Sequence, residues 1–309
     1  MTETYKLFID GQWRASSSGE TLPAINPYNQ EVHATIEVAS ADDVDAAVEA
    51  ARRAYDKVWS KTSPGERARL LNALADLLDG DADRMARLES TDNGKVIRET
   101  HSQMGYAARI FRYYAAWADK MHGDVVPLDQ KDTLDLAIKV PYGVVASITA
   151  WNSPVAILAN SLPAALAAGN CIIIKPSEHA SATTVEIARM AEKAGFPAGV
   201  VNVVTGAAET GKALSSHPDV DKISFTGSPA VGRSIASTAG GNLKPVIMEL
   251  GGKSPNIVFD DADFDRALVG ALAGIFGATG QTCIAGSRLL VQRGIYDRMV
   301  EGLAKRAAQ

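Results

Sequence analysis

Residues 140–175 decide the fold, and their sequence is VPYGVVASITAWNSPVAILANSLPAALAAGNCIIIK. The pattern predicts an apolar strand over residues 142–149, a helix over residues 156–167 and a second apolar strand over residues 170–175. The alternation continues, with strands predicted at 200–204, 222–225 and 245–248 and helices at 182–194, 208–215 and 230–238. Short apolar strands alternating with helices of this length predict an α/β fold, with a parallel sheet covered on both faces.

The chain before residue 140 is predicted to be mainly helical. Asp10-Gly11 predicts a hairpin turn between two short strands in residues 6–13. Helix starts are predicted at Ser40, at Ser63-Pro64 and near Asp81, and a longer helix is predicted over residues 99–121. We assign these helices packing roles and no chemistry.

Polar residues follow the predicted strands, at the carboxyl ends where ligands bind in parallel sheets. Asn152 follows the first strand, where it suits a functional role as well as the cap of the next helix. Lys175 and Glu178 follow the second strand. They suit a nucleotide ribose, whose 2′-hydroxyl a carboxylate can bind, or a surface ion pair leading into a helix.

The fourth strand ends in Phe225-Thr226-Gly227-Ser228. Small residues that open a helix let backbone N–H groups approach an anion, and the helix dipole favours that anion. The pattern alone is not specific, and no G-x-G-x-x-G fingerprint accompanies it.

A carboxylate and a thiol each lie at the edge of a glycine turn further along the chain. Glu249 lies in Met248-Glu249-Leu250-Gly251-Gly252-Lys253, and Cys283 lies in the segment GQTCIAGSR at 280–288. Such a pair suggests a nucleophile with a general base for a second step. The alternatives are a solvated turn residue for Glu249 and a core position for Cys283.

These motifs resemble those of the NAD(P)-dependent aldehyde dehydrogenases. The family's Glu-Leu-Gly-Gly-Lys and Gly-Gln-x-Cys signatures are intact at 249–253 and 280–283, in the family's order and spacing. Its Trp-Asn, Lys-Pro-Ser-Glu and Phe-Thr-Gly-Ser signatures also match, so the resemblance extends over essentially the whole sequence.

The resemblance implies a mechanism in which the thiolate of Cys283 adds to an aldehyde. Asn152 and the backbone N–H of Cys283 would hold the oxyanion of the thiohemiacetal. Hydride transfer to the nicotinamide would leave a thioester, and Glu249 would activate the water that releases the carboxylic acid. The other cysteine, Cys171, lies in an apolar strand and is predicted to be a buried, inert thiol.

The resemblance also implies a dinucleotide site. Lys175 and Glu178 would hold the adenosine ribose, residues 225–228 would face the pyrophosphate, and Gly206 would leave space for the adenine. The predicted cofactor-binding residues are Thr149, Trp151, Lys175, Ser177, Glu178, Gly206, Phe225, Thr226, Gly227, Ser228, Leu250 and Gly251. An acid at Glu178 would repel a 2′-phosphate, which favours NAD, whereas pairing of that phosphate with Lys175 keeps NADP as the alternative.

The predicted fold is a Rossmann-like dinucleotide-binding domain with a hairpin arm and the start of a second α/β domain. The first domain covers residues 1–117 and 141–251, the hairpin covers 118–140, and the incomplete catalytic domain covers 252–309. The hairpin has one apolar face and is a surface ribbon or, as the resemblance implies, an oligomerisation arm. We expect the arm, in a homo-dimer or homo-tetramer.

Composition excludes several other classes of protein. A net charge of −5 without a basic stripe argues against nucleic-acid binding. The sequence shows neither a secretory signal nor an apolar segment long enough for a membrane span. Two cysteines and five scattered histidines predict neither a disulfide framework nor a metal site. We expect a cytoplasmic protein whose partner is a small aldehyde.

The sequence departs from the family in two respects. Family members continue well beyond the nucleophile and supply a Glu-x-Phe segment for the nicotinamide ribose, so we expect a C-terminally truncated chain. A non-catalytic NAD-binding fragment is therefore the alternative function, and a CoA-acylating relative is disfavoured because Glu249 serves hydrolysis. Ser153, Asn160 and Gly277 replace aromatic residues of many relatives, which suggests a wide tunnel for a bulky or ring-bearing aldehyde.

Overall fold

The structure is a computed structural model that describes residues 3–308. The chain forms two compact units. The larger contains the chain up to Thr226 together with Ala230–Met248, and the smaller contains Gly227–Pro229 together with the chain from Glu249 onward. Met1, Thr2 and Gln309, which the predicted domain ranges include, lie outside the described residues. The predicted domain ranges and their roles stay predictions.

The amino-terminal part of the larger unit contains short strands followed by helices. The strands are β1 (Glu3–Tyr5), β2 (Leu7–Ile9), β3 (Gln12–Arg14), β4 (Thr21–Ile25) and β5 (Val32–Glu37). The helices are α1 (Ala41–Lys57), α2 (Pro64–Gly80), α3 (Ala82–Asn93) and α4 (Ile97–Trp117).

The predicted helix starts at Ser40 and at Ser63-Pro64 are confirmed by their caps, whereas α3 begins after Asp81 without a side-chain cap. Ser40 accepts a hydrogen bond from the backbone of Asp43, whose side chain binds the backbone of Ser40 in return. Ser63 caps α2 with Pro64 at its first position. The predicted range of α4 was wrong: the helix begins two residues earlier than 99 and ends at Trp117 rather than 121. After the helix the N–H of Lys120 donates to the carbonyl of Trp117 in a tighter turn.

The alternating part of the chain follows the predicted order. It contains β8 (Val144–Ile148), α5 (Pro154–Ala167), β9 (Cys171–Lys175), α6 (Ala182–Ala194), β10 (Val201–Val203), α7 (Ala208–Ser216), β11 (Lys222–Gly227), α8 (Pro229–Gly241) and β12 (Val246–Leu250). The strand order in the central sheet is β12-β11-β8-β9-β10-β2-β3.

The centre of this sheet is parallel, as predicted, but the sheet as a whole is mixed. Strand β8 pairs in parallel with both β9 and β11, and β9 pairs in parallel with β10. The hairpin of β2 and β3 joins the sheet antiparallel to β10, with Phe8 opposite Val203. The prediction of a parallel sheet therefore requires this correction at one edge. Periodicity could not indicate the pairing, because the two strands lie far apart in sequence.

The central strands are covered on both faces. Every residue of β8 and β9 is buried. Helices α5 and α6 pack on each other and on α2, whereas α1 packs on α7 and on the strands β8 to β10. The chain reverses its direction across the sheet after β10, so right-handed crossovers place α7 on the face opposite α5 and α6.

A separate hairpin projects from the larger unit. It consists of β6 (Asp124–Val126) and β7 (Asp135–Ala137), which pair antiparallel with Val125 opposite Leu136. The strands are shorter than the sequence predicts, and all of their residues are exposed.

The smaller unit contains one parallel strand pair with its crossover helix. It consists of β13 (Pro255–Val258), α9 (Phe264–Phe276), β14 (Arg288–Val291) and α10 (Tyr296–Ala307). Val258, Leu268 and Met299 form its buried centre. Within residues 3–308, no helix combines the length and the apolar character that crossing a membrane requires.

The close approach of α1 to the loop before β10 gives a stability prediction. Gly199 has φ +79°, and a Cβ there would lie 2.6 Å from the carbonyl oxygen of Ala50. We expect Gly199→Ala to lower the free energy of unfolding by about 2 kcal/mol, because a backbone atom must move. Denaturant unfolding measures this change.

Gly105→Ala is the matched control. Gly105 lies inside α4, where an added Cβ meets no atom within 4 Å. This substitution should raise stability by about 0.5–1 kcal/mol. Equal effects of the two substitutions would contradict the packing described for α1.

Candidate functional site

The residue that follows β8 presents an unsatisfied polar atom. Thr149 is buried, and its backbone N–H donates to the carbonyl of Lys175 at 3.1 Å. Its Oγ1 is buried and finds no hydrogen-bond partner among the described residues. A buried hydroxyl usually has a partner, so this atom is a candidate contact for a ligand. Trp151, two residues later, is 41% exposed.

Asn152 lies in the loop between β8 and α5 and is half-buried. The N-cap of α5 is Ser153, which makes no side-chain capping bond. Asn152 therefore does not occupy the N-cap position itself. The hydroxyl of Ser153 instead donates to the carbonyl of Asn152 at 2.7 Å.

Lys175 is the last residue of β9, and the side chain of Glu178 lies close to it. Lys175 is 5% exposed, and its Nζ donates to the carbonyl of Pro176 at 2.9 Å and lies 3.5 Å from Glu178 Oε2. Burial lowers the pKa of Lys175, and the carboxylate of Glu178 acts against that decrease. The ion pair of the alternative interpretation is therefore present, but its lysine is buried rather than at the surface. Ser177, between them in sequence, is also buried.

Gly206 follows β10 with φ +145°. A Cβ there would lie 2.2 Å from Thr210 Oγ1, which donates to the carbonyl of Ala39 at 2.8 Å. Packing of the first turn of α7 therefore accounts for glycine at this position. Its assignment to the adenine site stays a prediction.

The predicted site residues 225–228 lie at the end of β11. Phe225 is buried and lies opposite Ile148 in the sheet, and Thr226 is half-buried. The next residues, Gly227 and Ser228, belong to the smaller unit. There the carbonyl of Gly227 accepts from the N–H of Gly251 at 3.3 Å.

In the smaller unit, the turn after Glu249 lies close to the loop that carries Cys283. Glu249 and Leu250 end β12 with exposed side chains. The Cβ position of Gly252 lies 3.5 Å from the carbonyl oxygen of Cys283. The turn that follows Glu249 therefore contacts the loop that carries Cys283.

The backbone immediately before the thiol is strained. Ala278 and Thr279 have φ values of 51° and 58°, and Gly280 follows at 75°. The left-handed region disfavours residues with a Cβ, and a β-branched residue most of all. Such strain clusters at functional sites, where the surrounding structure must hold it. Thr282 Oγ1 donates to the carbonyl of Gly277 at 3.3 Å, which ties the ends of the strained segment together.

The two cysteines have opposite environments. Cys171 lies in β9 and is fully buried, and burial raises the pKa of its thiol to about 12. The predicted burial of Cys171 is confirmed, and its inertness stays a prediction. Cys283 is exposed. In the part of the chain that the structure describes, no group of three or more His, Cys, Asp or Glu side chains could hold a metal ion.

A buried polar cluster at the end of α3 was missed from the sequence. Glu89 and Lys95 form an ion pair at 2.8 Å with both side chains fully buried, and Asn93 donates to the carbonyls of Trp151 and Asn152. Their spacing in the sequence could have revealed this cluster. Glu89, Asp92 and Asn93 lie on one face of the helix, and a helix that packs against a core would normally carry apolar residues there.

A sequence model described as "Aldehyde dehydrogenase family" matches residues 13–309 of the chain. An aldehyde dehydrogenase from Aspergillus niger is 45% identical over 305 residues, which are 98% of this chain and 61% of that protein. The (Z)-2-((N-methylformamido)methylene)-5-hydroxybutyrolactone dehydrogenase of Acinetobacter baylyi is also 45% identical, over 98% of this chain and 62% of that protein.

Solved structures are similar over the same extent. A point mutant of betaine aldehyde dehydrogenase from Staphylococcus aureus, in complex with NAD+, has a TM-score of 0.97 and 39% identity. The match covers 99% of this chain and 62% of that one. The chain thus spans about three-fifths of the length of the relatives it matches.

The contrast between the cysteines predicts selective alkylation. Iodoacetamide at pH 8 should modify Cys283 in the folded protein and leave Cys171 untouched, because Cys171 is inaccessible and stays protonated below its raised pKa. Peptide mass spectrometry identifies the modified residue. Unfolded protein, in which both cysteines should react, is the control, and modification of Cys171 at a rate equal to that of Cys283 in folded protein would contradict the prediction.

Proposed function

The chain belongs to the aldehyde dehydrogenase family, and on that premise we propose that it oxidises an aldehyde to a carboxylic acid with hydride transfer to NAD. The observation that carries this proposal is the contact between the turn after Glu249 and the loop of the exposed Cys283. An accessible thiol beside an acidic turn fits a covalent mechanism with a hydrolytic second step.

In the first step the Cys283 thiolate attacks the carbonyl carbon of the aldehyde, and a C–S bond forms. The carbonyl oxygen becomes an oxyanion, for which the resemblance to the family assigns the side-chain amide of Asn152 and the backbone N–H of Cys283 as hydrogen-bond donors. Fixed donors of this kind stabilise the tetrahedral adduct because they need no reorientation when the charge develops. Bound NAD would accept the hydride that this adduct loses, which leaves a thioester on Cys283.

In the second step Glu249 removes a proton from a water molecule, which attacks the thioester carbon. The C–S bond breaks, the carboxylic acid leaves, and the thiolate of Cys283 is regenerated. The exposure of Glu249 supports access of water to this carboxylate.

The residues at the strand ends fit a dinucleotide. The buried Oγ1 of Thr149, which has no partner among the described residues, and the Lys175–Glu178 pair offer donors and acceptors for it. Glu178 would accept a hydrogen bond from a ribose hydroxyl and repel a 2′-phosphate, so we propose NAD rather than NADP. The NAD+ complex of the betaine aldehyde dehydrogenase supports this choice.

The hairpin of β6 and β7 supports assembly into a homo-dimer or homo-tetramer. Apolar side chains on it are strongly exposed, with Val125 at 70% and Ile138 at 75%. A two-stranded ribbon is marginally stable in water, so we propose that a second copy of the chain covers it. We propose a cytoplasmic location for the assembly.

The proposal predicts NADH formation that depends on Cys283. Cys283→Ser should abolish NADH absorbance with a panel of aldehydes, and Asn152→Ala should lower kcat by roughly 10²–10³-fold. Both variants should keep their affinity for NAD+, measured by fluorescence. Cys171→Ala is the matched control and should retain activity.

The same assay can contradict the proposal. If the wild-type chain binds NAD+ but forms no NADH from any aldehyde, it does not turn over, and the alternative of a cofactor-binding chain without catalysis is supported.

We propose that the substrate is a bulky or ring-bearing aldehyde. Ser153, Asn160 and Gly277 are smaller than the aromatic residues that many relatives carry at these positions, and the name of the Acinetobacter relative contains a lactone. We expect a higher kcat/KM for benzaldehyde than for acetaldehyde, and Asn160→Phe should reverse this order. A preference of the wild-type chain for acetaldehyde would contradict the hypothesis.

A further inference from the structure

The buried ion pair at the end of α3 has no role in the reaction steps described above. Helix α3 ends at Asn93, Gly94 follows in the left-handed region, and Lys95 turns back over the helix. There Lys95 Nζ donates to Glu89 Oε1 at 2.8 Å and to Gln103 Oε1 of α4. We name residues 89–95 the α3 turn.

The α3 turn holds the backbone of the loop that contains Asn152. Lys95 Nζ donates to the hydroxyl of Ser153 at 3.0 Å, and that hydroxyl donates onward to the carbonyl of Asn152. The side-chain amide of Asn93 lies 3.4 Å from the carbonyls of both Trp151 and Asn152. The side chains of Asn93 and Ser153 therefore both donate hydrogen bonds to the carbonyl of Asn152.

Glu89 holds the next part of the same loop. Its second carboxylate oxygen, Oε2, accepts from the backbone N–H of Val155 at 3.3 Å, in the first turn of α5. Burial raises the pKa of Glu89, whereas the Lys95 ammonium and the Val155 N–H act against that rise. A carboxylate in this position also interacts favourably with the positive end of the helix dipole.

The same turn reaches the loop after β9. Asp92 Oδ2 accepts from the N–H of Ala182 at 3.0 Å, where α6 begins, and Oδ1 binds His33 Nε2 at 3.1 Å. Ala182 follows the segment that holds Lys175 and Glu178. One buried turn therefore ties together the loops that leave two neighbouring strands of the sheet.

Stability does not explain the ion pair. Removing two charges from water is costly, and replacing a buried pair with apolar residues is often neutral or stabilising. What such a pair supplies is a defined geometry, because each charge needs its partners in fixed places. Here those partners are the atoms that orient the Asn152 loop.

We propose that Glu89, Asn93 and Lys95 are positioning residues, which act on the reaction by holding the backbone of Asn152 in place for the oxyanion. The catalytic part of this inference rests on the proposed function. A donor displaced by about 1 Å can lower a rate by about 10²-fold, so a loosened loop should affect kcat more than binding.

The test is the double variant Glu89→Gln/Lys95→Met. It removes both charges together and conserves side-chain volume, and the new glutamine can still accept from Val155. Hydrogen exchange of the backbone amides of residues 151, 152, 153 and 155, followed by mass spectrometry, should become about tenfold faster or more, because the loop that carries them loses the side-chain contacts that hold it. Asn93→Asp, which removes one donor without changing shape, should give the same direction of change and serves if the double variant fails to fold.

A double-mutant cycle links the turn to the reaction. The double variant should lower kcat by about 10–10²-fold, with KM for NAD+ and the alkylation rate of Cys283 within about threefold of wild type. Combined with Asn152→Ala, it should lower kcat by less than about threefold further, since the residue it positions is already gone. A purely structural effect would be additive.

The matched control is Glu186→Gln/Arg189→Met. This pair on α6 is joined at 2.7 Å, with Glu186 buried, and no hydrogen bond described for either residue reaches residues 151–155. It should change neither exchange of residues 151–155 nor kcat.

Unchanged exchange of residues 151–155 in the double variant and in Asn93→Asp would overturn the proposal, as would an additive loss in the Asn152→Ala background. Faster exchange in a chain whose wild type forms no NADH would support the positioning of the loop and contradict the proposed function instead.

Discussion

The parallel register of the central strands is the constraint on which the rest of the structure depends. Ile148 lies opposite Lys175 on one side and opposite Phe225 on the other. Parallel strands in this register end at the same edge of the sheet, so the loops that follow them start side by side. Since every residue of β8 and β9 is buried, a slip of one residue would move each side chain to the opposite packed face, where it would not fit the helices, and packing therefore specifies the register.

Loops that leave a sheet edge still need support, and the chain supplies it from the helical part. The buried Asp92, Asn93 and Lys95 lie on or beside α3, far in sequence from the loops that they contact. Helix α3 and the residues just after it, to which the sequence analysis assigns only packing, thus carry polar side chains that contact the loops after β8 and β9. In the smaller unit, the strained residues Ala278 and Thr279 lie just before the Cys283 loop.

Local patterns predicted the regular elements well. Helix α6 matches its predicted range because the apolar spacing runs from Ala182 to Ala194 and Gly195 ends the helix in the left-handed region. Pairings between distant segments were not predictable, since nothing local in residues 7–14 indicates that β2 and β3 extend the central sheet. The burial of charge was equally hidden, because only tertiary packing brings Lys95 and Glu89 together as a buried pair. The motifs at Asn152, Glu249 and Cys283 were evident from the sequence, but their roles depend on chemistry that must be measured.

The most direct measurement is the mass of the peptide that contains Cys283 after Glu249→Gln protein has reacted with an aldehyde and NAD+. Without the carboxylate that activates water, the thioester should persist, and the peptide mass should rise by that of the acyl group less one hydrogen. An acyl group on Cys171, or no acyl group on a Cys283 that iodoacetamide still alkylates, would contradict the account.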